Sequence, residues 1–232
     1  MVTIEKSFTL KRLIQKVLIK ISHMLGFPKF MRIKVGVLQN YFWSTQDSNT
    51  AYILGTYEAE AFEQLKPYLS EDDIILDVGA NLGYFSLFFS KTSPRGKVFA
   101  FEPIPASKKL LDIHLAKNNI TNVSTYETGI SNEIGAIEFT FSENLAANTY
   151  KSESPIYANS KKINVEVTTI DAFVTQQNLK KLDFIKIDVE GAELDVLKGA
   201  EKTLYTLKPK LLLATHDCHI DGIKQKCLAF LT

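Results

Sequence analysis

Between residues 74 and 215 short apolar runs alternate with segments of helical length, and no other feature limits the fold as much. Residues 74–78, 97–101, 122–127, 184–188 and 210–215 read as strands. Residues 83–90, 105–117 and 192–205 read as helices, the second with Pro105 near its start, where a missing N–H costs nothing. Strands that are apolar on both faces must be covered on both faces, and strands joined through helices pair in parallel. The expectation is therefore an α/β fold: a Rossmann-like, mostly parallel sheet with helices on both faces and right-handed crossovers. One stretch breaks the alternation. Residues 137–141 and 163–168 read as an antiparallel pair, an inserted β-hairpin, joined by the polar segment 142–160.

Upstream, Leu10, Leu13, Ile14, Val17, Leu18, Ile21 and Leu25 recur at three- and four-residue steps, with Lys6, Lys11, Arg12, Lys16 and Lys20 among them. This is the pattern of an amphipathic helix, stopped by Gly26 and Pro28. A basic helix of this kind packs on its own domain, packs on a second subunit, or rests on an anionic membrane surface. Peripheral membrane contact and a homo-oligomer both follow as expectations. Residues 31–57 read as short strands and turns. Residues 58–69 read as a helix with Ala61, Phe62, Leu65 and Leu69 on one side. The division expected is a lead-in over 1–50 and an α/β domain over 51–232.

Hydrophobic residues make up 45% of the chain and charged residues 23%, enough to fill a sizeable core. A net charge of +1 leaves no chain-wide basic field for a phosphate backbone, which argues against a nucleic-acid partner. No apolar run approaches the roughly 20 residues needed to span a bilayer. The two cysteines, Cys218 and Cys227, lack metal-ligand spacing and fit reduced thiols of a cytoplasmic protein.

The loop Asp77-Val-Gly-Ala-Asn-Leu-Gly83 follows an apolar strand and precedes a helix, the context in which a glycine loop is informative. Gly79 permits close backbone approach to a ligand, and Gly83 lets the helix begin close to the strand. N–H groups at the helix start favour a negative group. Asp77 ends the strand where its carboxylate can face an ammonium. Glu102 ends the next strand, where a carboxylate can accept from both hydroxyls of a ribose. A nicotinamide or flavin enzyme is the obvious rival, but its loop admits a pyrophosphate, which Asp77 would repel. An acid beside an ammonium attracts it, and that sign favours S-adenosylmethionine.

A second run, Phe184-Ile-Lys-Ile-Asp188-Val-Glu-Gly-Ala-Glu193, ends another strand. Asp188 sits at a carboxyl end, where open parallel sheets bind ligands. Glu193 reads first as a cap at a helix start. The following strand delivers His216 and Asp217 to the same rim. Two strand-end acids and a histidine can hold a divalent cation such as Mg²⁺, with Asp188 and Asp217 as ligands. Without metal, His216 or Asp188 can serve as general base. His23 and His114 lie in helical segments and carry no assigned chemistry, nor does His219.

These residues resemble the FkbM-type methyltransferases. The matching segments are Asp77-Val-Gly-Ala-Asn-Leu-Gly-Tyr-Phe-Ser86, Val98-Phe-Ala-Phe-Glu-Pro-Ile-Pro105, Asn118-Asn119, Gly129-Ile-Ser-Asn-Glu-Ile-Gly135, Ile185-Lys-Ile-Asp-Val-Glu-Gly-Ala-Glu193 and Leu197-Lys-Gly-Ala200. The likeness spans roughly residues 51–217. It implies methyl transfer from S-adenosylmethionine to a hydroxyl of a sugar or other natural product. It also implies a cofactor lining of Asp77, Gly79, Asn81, Gly83 and Glu102, with the 128–130 region, Gly129 at its centre, beside adenine. Asp188 would lie between methyl donor and acceptor. The related catechol-type enzymes place metal ligands at these two late strand ends, which supports Asp188 with Asp217. One departure stands out: the fold normally closes with two further strands, whereas 223–231 reads as a helix and the chain stops. A catalytically silent S-adenosylmethionine-binding or scaffold protein is the alternative reading, and a dinucleotide-dependent oxidoreductase a more distant one.

Overall fold

Pairing within the sheet explains why each apolar run takes the place it does. In the computed structural model, which describes residues 29–45, 49–141, 161–216 and 220–232, the chain divides into two compact units, residues 1–65 and 66–232. The amphipathic pattern at Leu10–Leu25, the connection 142–160, and Asp217, Cys218 and His219 lie outside the described residues.

In the first unit, β1 (Phe30–Arg32) and β2 (Phe42–Ser44) pair antiparallel, with Met31 opposite Trp43. Helices α1 (Thr50–Leu54) and α2 (Ala59–Leu65) follow. Trp43 is fully buried, its ring centroid 4.8 Å from that of Tyr52, which in turn lies 4.2 Å from Tyr57. Reading 31–57 as strands and turns thus missed α1, a single turn capped at Asn49, whose side chain accepts from the Ala51 N–H.

The second unit opens with a 3₁₀ turn at Lys66–Tyr68 and carries the central sheet. Its strands are β3 (Ile74–Val78), β4 (Lys97–Phe101), β5 (Val123–Tyr126), β9 (Phe184–Ile187) and β10 (Lys210–Leu213), all parallel, in the order β10-β9-β3-β4-β5. Between them run α3 (Tyr84–Thr92), α4 (Pro105–Lys117), α5 (Ile170–Gln176), α6 (Glu193–Lys198) and α7 (Glu201–Leu207), and α8 (Ile223–Leu231) follows β10. From β3 the chain proceeds outward through β4 and β5, then returns to the other side for β9 and β10. The order reverses at β3, and in such sheets ligands bind outside the carboxyl ends at the reversal.

Side chains alternate across each strand, so each face has its own partners. One face presents Leu76, Val78, Phe99, Phe101, Ile185 and Ile187, and packs against Phe173 of α5, Val196 of α6 and Ile223 of α8. The other face meets α3, where Phe89 contacts Phe184 at 5.6 Å and Ser86 bonds Asp77. Helices therefore cover both faces, as the apolar runs require.

The hairpin is present as β7 (Gly135–Phe141) against β8 (Lys161–Thr168), antiparallel. A two-residue strand, β6 (Gly129–Ile130), pairs in parallel with Val167–Thr168 and ties the hairpin to the end of β5. Ile104, Phe139, Val165 and Val167 form a small apolar cluster of their own beside it. Among the described residues, no helix is long and apolar enough to cross a membrane.

Candidate active site at the carboxyl edge of the sheet

The loop after β3 is fastened to β4 by its own backbone. The N–H groups of Gly79 and Ala80 both donate to the Phe101 carbonyl, at 3.0 and 2.9 Å. Gly79 has φ +76°, and a Cβ there would stand 1.9 Å from the Asp188 carbonyl oxygen. The sequence assigns this glycine to the approach of a ligand. In the structure its neighbour is the backbone after β9, so the missing side chain serves the seam between two loops. Gly83, with φ +90°, starts α3 so close to α4 that a Cβ would meet Leu111 Cδ1 at 2.2 Å. Asn81, between them, also has positive φ, +48°.

Glu102 sits at the end of β4, 6% exposed. Its Oε2 accepts from the Asn81 N–H at 2.8 Å and its Oε1 from the Ile104 N–H at 2.9 Å. Burial pushes its carboxyl up to about 7, although the two N–H groups and the Lys186 charge pull the other way. Glu102, Asn81, Gly129, Ser131 and Asp188 line one cleft, whose apolar wall comes from Ile137, Phe139 and Val165 of the hairpin. The structure thus gathers Gly79, Asn81, Glu102, Gly129 and Asp188 around one space. Gly83 is buried behind it.

Asp77 is the surprise. Its carboxylate is fully buried and faces the protein. Oδ2 accepts from Ser86 Oγ at 2.6 Å, and Oδ1 lies 3.1 Å from Lys186 Nζ. Lys186 stands opposite Asp77 in the β3–β9 register and is only 3% exposed. Its Nζ also donates to the Gly79 carbonyl at 2.9 Å, lies 3.6 Å from Asp188 Oδ2, and sits over the Phe85 ring at 5.1 Å. The charge that the sequence reading gave to a cofactor ammonium is thus met inside the protein. Lys186 is the site residue the sequence reading missed. Its signal was visible: lysine is almost never fully buried unless paired, and this one interrupts an apolar strand between Ile185 and Ile187.

The rim beyond β9 and β10 brings Asp188, Glu190, Glu193 and His216 together. Glu190 has φ +53° and Gly191 φ +107°, two successive left-handed residues that bend the chain sharply after β9. Glu193, fully buried at the first position of α6, accepts from the Gly191 N–H at 3.1 Å and from His216 Nδ1 at 2.7 Å. A carboxylate only accepts, so Nδ1 of His216 carries a proton in this contact. The other ring nitrogen, Nε2, faces Asp188 Oδ1 at 3.5 Å and Glu190 Oε2 at 3.6 Å. The Glu193 hydrogen bond, with the charges of Glu190 and Asp188, raises the His216 pKa against partial burial. Read first as a helix cap, Glu193 does bond the N–H of Gly191, and it also orients the histidine. His114, without chemistry in the sequence reading, is fully buried in α4 and donates from Nδ1 to the Leu82 carbonyl at 2.8 Å, so it clamps the loop from behind.

A parallel α/β sheet with an acidic cleft at its reversal point defines a class of ligand-binding enzymes, and sequence comparison narrows it. Residues 77–227 match the methyltransferase FkbM domain. The chain belongs to the FkbM family of methyltransferases. It is 29% identical over 191 residues to methyltransferase sdnD of Sordaria araneosa, covering 70% of this chain and 73% of that one. It is 23% identical over 190 residues to the 31-O-demethyl-FK506 methyltransferase FkbM of Streptomyces tacrolimicus, covering 70% and 72%. It is 28% identical over 146 residues to the 2-O-methyltransferase NoeI of Sinorhizobium fredii, covering 57% and 59%. Membership leaves the dinucleotide oxidoreductase alternative without support.

Proposed function

We propose that this methyltransferase takes its methyl group from S-adenosylmethionine and delivers it to a hydroxyl of a small-molecule acceptor. The observation that carries the reading is Glu102: a buried carboxylate at a strand end, held by two backbone N–H groups, in a cleft that also contains Asp188. Two carboxylate oxygens held in one place suit the two hydroxyls of a ribose. Gly79, Asn81 and Gly83 shape the loop over the rest of the donor. Gly129 and the apolar hairpin wall offer a flat, dry surface for adenine. Asp77 acts from behind, by fixing the loop through Lys186 and Ser86.

The bound donor supplies an electrophilic methyl on a sulfonium. The chain's own task is to align the acceptor oxygen with that carbon and to take up the hydroxyl proton. Asp188, about one-third exposed, and His216 at 23% are both at the rim where that proton leaves. Transfer forms an oxygen–carbon bond, breaks the carbon–sulfur bond and passes the proton to Asp188. The choice of oxygen as acceptor rests on the names of two relatives, the 31-O and 2-O enzymes. Glu102→Ala should weaken S-adenosylhomocysteine binding at least about tenfold in calorimetry, the loss of a charge-assisted hydrogen-bond pair. Unchanged affinity would sink the ribose assignment.

A further inference from the structure

We propose that Asp188, Glu190 and His216 form a binding site for one small divalent cation, with Glu193 as the residue that orients the histidine. Three observations carry this. The first is spacing. His216 Nε2 lies 3.5 Å from Asp188 Oδ1 and 3.6 Å from Glu190 Oε2. Both separations exceed the range of about 2.7–3.2 Å for an N–H···O hydrogen bond. They match two ligands of a single ion. Atoms each about 2.1 Å from a metal stand roughly 3.0 Å apart at a right angle and about 3.4 Å apart at a tetrahedral one. One atom from each of the three residues lies within 4.8 Å of the others.

The second observation is the histidine's orientation. With Nδ1 held by Glu193, the other ring nitrogen, Nε2, is turned toward two carboxylate oxygens. Metal-binding histidines are held in this way, the far N–H on a carboxylate and the near nitrogen free for the ion. Glu193 is itself fully buried, and its second oxygen has no hydrogen-bond partner among the described residues. A buried carboxylate left half-satisfied is costly unless positive charge lies nearby.

The third is charge. Lys186 Nζ lies 3.1 Å from Asp77 and 3.6 Å from Asp188 and donates to the Gly79 carbonyl, while Glu190 and Glu193 face His216. The rim thus gathers the carboxylates of Asp188, Glu190 and Glu193 about one imidazole. Two carboxylates and one imidazole suit a first-row divalent cation such as Zn²⁺ or Mn²⁺, with the remaining positions open to water and acceptor oxygens. The ligand pair differs from the one the sequence suggested. Glu190, two residues beyond Asp188 on the same bend, takes the place given to Asp217, which lies outside the described residues.

A cation here would hold the acceptor's hydroxyl and a neighbouring oxygen and make the hydroxyl more acidic, a role that rests on the donor reading above. Cation binding itself does not depend on it, and the test separates the two. The full-length chain, stripped with a chelator, is titrated by calorimetry with MnCl₂ and, separately, with S-adenosylhomocysteine. One saturable Mn²⁺ site per chain is expected, weakened about tenfold or more in both His216→Ala and Glu190→Gln. His216→Ala should still bind S-adenosylhomocysteine, whereas Glu102→Ala should lose it and keep Mn²⁺. No saturable Mn²⁺ binding up to about 1 mM, the weak end of functional cation sites, overturns the proposal, as does binding that neither rim variant changes. If His216→Ala does not melt cooperatively, Glu190→Gln on the surface bend decides alone. Mn²⁺ binding without S-adenosylhomocysteine binding would keep the cation site and overturn the donor reading.

Discussion

Glu102 joins a functional expectation to a measurable pH. Its carboxyl is pushed up to about 7 by burial, so near neutrality the empty protein is a mixture of acid and carboxylate. Accepting two ribose hydroxyls, besides two backbone N–H groups, needs the ionised form. Affinity for S-adenosylhomocysteine should then be flat above about pH 7.5 and fall below 7, by at most about tenfold per pH unit for one linked proton. Glu102→Gln should bind weakly at every pH. A wild-type affinity that is constant from pH 6 to 8 would refute the link. Lys186 gives a second test. Removing it as Lys186→Met leaves Asp77 fully buried without its cation, a loss of about 3–5 kcal/mol for broken buried pairs. Urea denaturation at pH 7 measures this, and Asp77→Asn added to Lys186→Met should recover part of the loss. At this scale the structure gathers Gly79, Asn81, Glu102, Gly129 and Asp188 of the residues that the sequence singles out, while Asp77 turns inward to Lys186. Asp77 and Glu102 were found because strand-end acids are visible in a linear pattern. The partner of Asp77 was not, because it comes from a strand more than a hundred positions away. Only the β3–β9 register, with Asp77 opposite Lys186, brings the two together.

Strands were the most legible elements. β3, β4 and α4 fall at the predicted bounds, because an apolar run buried on both faces is unambiguous once Pro105 and the glycine loop punctuate it. β5, β9 and β10 are each shorter than their runs by one or two residues, since pairing ends where the chain turns into the rim. Helices α1 and α5 were missed. Each is short, and α5 contains the β-branched Ile170 and Val174, but Thr169 caps it by accepting from the Ala172 N–H. β6 exists only through its pairing with β8, which no local pattern announces. The clamp of α4 on the glycine loop makes a prediction of its own. Burial lowers the His114 pKa from 6.5 to about 4, so the folded protein keeps it neutral. A histidine with a depressed folded pKa contributes stability that is fully present above 6.5. That stability is lost as pH falls through the interval down to about 4, by as much as about 3 kcal/mol. His114→Gln should be less stable at pH 7 yet lose less on acidification to pH 4.5. Parallel stability curves for the two proteins would exclude this account.

Among the described residues, the central sheet reverses order at β3, and the candidate site residues lie at that reversal. The glycine loop closes over β3, Glu102 over β4, Asp188 and Glu190 over β9, and His216 beyond β10. This convergence was predictable from alternation alone, since a parallel sheet sends all its carboxyl ends to one edge. The contact between Gly79 and the Asp188 carbonyl then has a consequence for timing. There is no slack at that joint: the two loops touch where even a methyl group would not fit. Settling one loop around a ligand must therefore restrain the other. Two guests that sit on opposite sides of the joint should each make the other's seat ready, and by the same factor in both directions. Titrating Mn²⁺ with and without saturating S-adenosylhomocysteine, and the reverse, would reveal whether these guests arrive as strangers or as a pair.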